Sequence, residues 1–122
     1  AFISVSHPFD LQRKGWQEEE LLEILPFVDA IEVFNSRSLT DGVNDRAEKF
    51  AHLHSTAGTV GSDAHILWEV GASTLLLPDF STSEELRGVI RAGTADVKLS
   101  PPWVHFGSTY ARIVKALKEQ SK

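Results

Sequence analysis

The feature that most constrains this chain is a regular alternation of short β-branched runs with amphipathic helical stretches over its first half. Phe2-Ile3-Ser4-Val5-Ser6 alternates apolar and small polar residues, and Ala30-Ile31-Glu32-Val33-Phe34 and Thr59-Val60 are further extended runs. Between them lie two helical patterns. Gln17 to Leu25 has acids in its first turns (Glu18, Glu19, Glu20), an apolar face of Leu21, Leu22, Ile24 and Leu25, and a stop at Pro26. The second places Ala47, Phe50, Ala51 and His54 on one face, with Asn44 as its expected cap. Strand, helix, strand, helix, strand is the pattern of parallel βαβ units, so an α/β fold is expected. A fourth strand is expected at Ala72 to Leu77. A helix opened by Ser81 and Thr82 with Glu84 and Glu85 at capping-box spacing follows, packing Leu86, Val89 and Ile90 inward and closed by Gly93. Asp96 to His105 reads as irregular, and Ser108 as the cap of a last helix with Tyr110, Ile113, Val114 and Leu117 on its apolar stripe.

In parallel α/β folds the carboxyl ends of the strands collect the functional groups. Here those ends carry His7, then Asn35 with Arg37, then Gly61-Ser62-Asp63-Ala64-His65. The Gly-Ser turn lifts Asp63 and His65 to a strand end, and their spacing aims both side chains the same way. A carboxylate beside an imidazole is half of a divalent-metal site, and two imidazoles with one carboxylate suit Zn, Mn or Fe. Arg37 and Arg13 offer guanidinium forks for phosphate oxygens beside such an ion. A turn aspartate capping the next segment, next to a half-buried histidine, would carry the same letters.

Composition narrows the partners. The chain has 122 residues, 42% of them hydrophobic, a net charge of −5 and no cysteine. It is one domain's length, and its sequence pI of about 5.5 leaves no basic face for duplex nucleic acid or an anionic membrane. Disulfides and thiolate metal sites are excluded. No signal peptide or apolar span of about twenty residues is seen, which makes a cytoplasmic location the default expectation. Ala1 opens almost directly into a strand, as a domain can begin and as a piece cut from a longer polypeptide also would, and the chain holds no methionine.

Taken together, Ser6-His7-Pro8-Phe9-Asp10, Ala30 to Arg37, Asn44-x-x-Ala47-x-x-Phe50-Ala51 and Gly61 to His65 with Glu69-Val70-Gly71 resemble the C-terminal part of a PHP-domain protein. This is the polymerase and histidinol phosphatase superfamily, and the likeness is to its metal-dependent phosphoesterases. It covers roughly residues 1–93, leaving 94–122 as a tail. The resemblance implies the C-terminal half of a distorted (β/α)7 barrel, with about four mostly parallel strands and flanking helices. It implies His7, Asp63 and His65 as metal ligands for Mn, Zn, Fe or Mg, and Arg37, Asn35 and Arg13 as phosphate contacts. Glu32 matches a position present in these phosphoesterases, but a structural carboxylate is an equal reading. The implied substrate is a phosphorylated small molecule or nucleotide.

The family's opening His-x-His motif and its further ligands have no counterpart here. His52 and His54 sit two apart on a helix and cannot share a site, and His105 lies in the tail. An incomplete metal site is therefore expected, with little or no turnover by this chain alone. The alternative is a non-catalytic assembly or regulatory module derived from the same fold, its half-sheet covered by a homodimer or a swapped copy. A Ser-His-Asp hydrolase built on Ser62 fails on geometry, because Asp63 and His65 are too close in sequence to line up behind it. Trp103, Phe106 and Tyr110 are expected to cover a core or a subunit edge rather than to form a ligand platform.

Overall fold

A computed structural model describes residues 1–10 and 13–104. The expected final helix, His105, Phe106 and Tyr110 lie outside the described residues, and Trp103, just inside them, is exposed.

Three strands form a parallel sheet in the order β1-β2-β3: β1 at Ser4–Val5, β2 at Ala30–Asn35 and β3 at Ala57–Gly61. Ser4 pairs with Ala30, and Ala30 with Ala57, so one register line crosses all three strands. Because successive strand residues face opposite sides, Val5 and Ile31 share one face, while Ser4, Ala30, Glu32, Ala57 and Thr59 share the other. The hydrogen bond between the Ser4 and Thr59 hydroxyls, 2.9 Å long, lies on that second face.

The first face is the larger core. Two helices cover it: α1 at Glu18–Ile24 and α2 at Asp41–Leu53. Val5, Phe9, Leu21, Ile31, Ala47, Phe50 and Ala51 are buried together, and the Phe9 and Phe50 rings meet edge to face at 5.5 Å. Leu21 and Ile31 are completely buried, each worth roughly 1.5–3 kcal/mol relative to exposure. Helix α1 starts at Gln17, whose N–H donates to Glu20 Oε2, and Pro26 turns its end into a 3-10 segment at Leu25–Phe27. The expected inward face of α2 is present, and His54 at its C-terminal end lies against the Phe50 ring.

Two expectations need correction. Asn44 does not cap α2: Thr40 holds the extended N-cap position, and Asn44 lies inside the helix with its side chain turned onto the end of β2. The fourth strand, β4, covers only Thr74–Leu76 and is not a member of the parallel sheet; it pairs antiparallel with β5, Thr94–Asp96. The segment expected to be irregular from Asp96 thus begins on the last residue of a strand, and the described residues hold three parallel strands and one antiparallel pair rather than four mostly parallel strands. They form no closed barrel.

Between β4 and β5, helix α3 at Ser83–Val89 is capped as expected. The Thr82 hydroxyl accepts from the Glu85 N–H at 3.1 Å, and Glu85 Oε2 accepts from the Ser81 N–H at 2.6 Å. A 3-10 turn, Ile90–Ala92, brings Ile90 under Ala30 and Ala57, with Leu75, Leu77, Leu86 and Phe2 around it. This second core fills one end of the second face. The other end, toward the carboxyl ends of the strands, is polar. Among the described residues no helix is long and apolar enough to cross a membrane.

Candidate functional site

The polar end is held by an unbroken string of hydrogen bonds across the three strand ends. After β1 the chain turns at His7, which adopts φ +33°, and its N–H donates to Glu32 Oε2 at 2.7 Å. Glu32 reaches that amide because it shares the second face with Gly61, where any Cβ would overlap its Oε1. A single charge inside the apolar run Ala30 to Phe34 was the visible signal that this carboxylate has a fixed partner.

Asn35 closes β2 and is almost fully buried. Its Nδ2 donates to Glu32 Oε2 at 3.0 Å and to Asp63 Oδ2 at 3.3 Å, so one amide group bridges two carboxylates. Its Oδ1 accepts from the Arg37 N–H at 2.9 Å. Its backbone N–H donates to Asn44 Oδ1 at 3.0 Å, and its carbonyl accepts from Asn44 Nδ2 at 3.3 Å. Every polar group of Asn35 is therefore used, as burial demands.

Asp63 sits beyond β3 at φ +49°, a left-handed conformation uncommon outside glycine. Its Oδ2 also accepts from Arg13 Nη1, and Arg13 Nε lies 3.6 Å from Asp10. Two of the three expected ligands, His7 and Asp63, thus occupy a backbone region that costs of order 1–3 kcal/mol and that gathers at functional sites. The turn beneath Asp63 is fixed by serines. Ser62 Oγ donates to the Ser73 carbonyl at 3.2 Å, and Ser73 Oγ meets Ser36 Oγ at 2.6 Å. The Ser62 hydroxyl is thereby spent on backbone.

His65 is half-exposed, and its Nδ1 lies 2.7 Å from the Asp63 carbonyl oxygen. A carbonyl can only accept, so the contact is a hydrogen bond when the proton is on Nδ1. His65 Nδ1 is 3.8 Å from Asp63 Oδ1, which brings these two expected ligands together. Among the described residues, however, no three histidine, aspartate or glutamate side chains converge closely enough to hold an ion. His7 enters the string through its backbone amide, and the Asp63 carboxylate is engaged by Arg13 and Asn35.

The two arginines expected at phosphate differ. Arg13 is at the rim, about a third exposed. Arg37 is buried, and its Nη1 donates to Glu69 Oε1 at 2.7 Å. Glu69 sits in the 3-10 turn Leu67–Glu69, which buries this carboxylate while exposing Leu67 and Trp68. Burial alone would raise the pKa of Glu69. The N–H of His65, the Arg37 guanidinium and the N–H of Ile66 outweigh it and hold the carboxyl below its usual range. Sequence reasoning gave Glu69 no role, although one acid among Ile66, Leu67, Trp68 and Val70 was a signal of the same kind as Glu32.

Comparison with known proteins agrees with the likeness drawn from the motifs. A curated relative, an uncharacterized protein of Methanocaldococcus jannaschii, is 29% identical over an alignment covering 98% of this chain. The chain spans about 62% of that relative's length. No solved structure matches. The family model described as PHP-associated matches residues 42–95, which run from the first turn of α2 into β5 and include Asn44, Asp63, His65 and Glu69. Residues 42–95 are thus similar to the family described as PHP-associated, as the motifs led us to expect.

Proposed function

We propose that this chain supplies one wall of a metal-dependent phosphoesterase site whose other donors come from a longer polypeptide. The observation that carries this reading is the string His7–Glu32–Asn35–Asp63–Arg13, which joins the carboxyl ends of three parallel strands around two left-handed residues. In this reading His7, Asp63 and His65 are the ligands contributed by this wall. Asn35 holds the Asp63 carboxylate in place. Arg13 is the cation at hand for a phosphate oxygen, since its guanidinium is the one at the rim. A divalent ion bound there would supply an activated water and charge neutralisation at phosphorus. The substrate class is a phosphorylated small molecule or nucleotide.

Calorimetric titration of the chain with Mn²⁺ or Zn²⁺ tests the reading. Weak uptake that disappears in His65→Ala supports it, accompanied by no hydrolysis of a generic aryl phosphate. Robust phosphatase activity from these residues alone would overturn the incomplete-site assignment. A second reading, a non-catalytic assembly or regulatory module, is favoured by one observation: Arg13 already neutralises Asp63. Under that reading no ion is taken up, and Arg13→Ala does not restore uptake.

A further inference from the structure

We infer that Glu69, clamped by Arg37, is a positioning residue for His65, selecting the imidazole tautomer that leaves Nε2 unprotonated. The inference deepens the proposed reading of His65 as a ligand and rests on it for its functional meaning; its structural content stands apart.

Glu69 Oε2 accepts from the His65 N–H at 2.9 Å and from the Ile66 N–H at 3.2 Å. The other oxygen, Oε1, is taken by Arg37, so the carboxylate cannot rotate away without breaking a buried ion pair. Arg37 is tied in turn to the end of β2 by its own N–H on Asn35 Oδ1, the residue whose amide holds Asp63. The two halves of Asp63-Ala64-His65 are therefore fixed from the same strand end. Asn35 holds the Asp63 side chain, and Glu69, through Arg37, holds the His65 backbone. With both ends fixed, His65 Nδ1 lies 2.7 Å from the Asp63 carbonyl, an acceptor that favours the proton on Nδ1. Partners one bond removed from a ligand commonly set its tautomer and orientation in this way. Arg37 reaches the loop through Glu69.

The test uses the 122-residue chain and long-range ¹H–¹⁵N spectra of the His65 ring at neutral pH. In the wild type the Nδ1–H form should predominate. Two double variants remove the buried charges together. Arg37→Met with Glu69→Gln keeps an acceptor for the two amides and should retain that tautomer. Arg37→Met with Glu69→Met removes the acceptor and should give a mixture of tautomers, with loss of exchange protection at the His65 and Ile66 amides. Protection at Phe50 and Ala51 reports whether α2 remains folded. If the methionine pair keeps the tautomer and the protection, the inference is overturned. If that variant does not fold, the wild type decides: a through-hydrogen-bond coupling between the His65 amide nitrogen and the Glu69 carboxyl carbon is expected, and its absence overturns the inference. A tautomer set by Glu69 in a chain that takes up no Mn²⁺ would leave this inference standing while the phosphoesterase reading fails.

Discussion

Two arginine–carboxylate pairs flank the same loop, and they are held in opposite ways. Arg37 and Glu69 have side chains only 2% and 0% exposed, whereas Arg13 and Asp63 are 30% and 19% exposed. The chemistry is identical and the surroundings are not. In the interior, losing one partner strands a charge with no water to receive it. At the rim, solvent can replace a lost partner, so the contact adds little to stability and can be exchanged for a ligand. One pair therefore builds the loop, and the other is free to take part in what the loop does.

The sharpest way to break this contrast is Glu69→Ala. It removes the carboxylate paired with the buried Arg37 and orphans the His65 and Ile66 amides. The expected loss is about 3–5 kcal/mol in chemical denaturation, enough to unfold much of a small domain. Asn44→Ala comes next. It removes the acceptor of the buried Asn35 N–H and should cost about 1–3 kcal/mol by the same measurement.

Acid titration sharpens the comparison further. The Glu69 carboxyl is held below its ordinary value of 4.5 in the folded chain. Its contribution is thus present above that value and is lost as the pH falls through the lower, folded-state pKa. Thermal melting should show stability dropping in that acid range, and the drop should be shallower in Glu69→Gln. The smallest effect is expected for Arg13→Ala, about 0–1 kcal/mol, because the pair is partly solvated. A loss from Arg13→Ala as large as that from Glu69→Ala would erase the distinction.

What the sequence disclosed followed how local each rule is. Helix α1, the inward face of α2 and the capped start of α3 were legible because their periodicity and caps sit within a few residues of one another. Strand β5 was not. Thr94, Ala95 and Asp96 are all exposed and carry no alternation, so only pairing with the distant β4 defines them. Asn44 shows a local rule losing to a tertiary demand: a favourable capping residue was needed more at the buried end of β2, and Thr40 took the cap. The strand ends were legible as the place where polar groups gather. Which arginine goes inside was not, since Arg13 and Arg37 are alike in the sequence and differ only in what folds over them.

Gly61 carries the last consequence. The hydrogen atom at its α-carbon is the opening through which the Glu32 carboxylate reaches the amide of His7. A methyl group there would evict that carboxylate, and two strands would then lose their common anchor although no charge or donor had been altered. A position with no side chain of its own thus decides where a neighbouring carboxylate can rest.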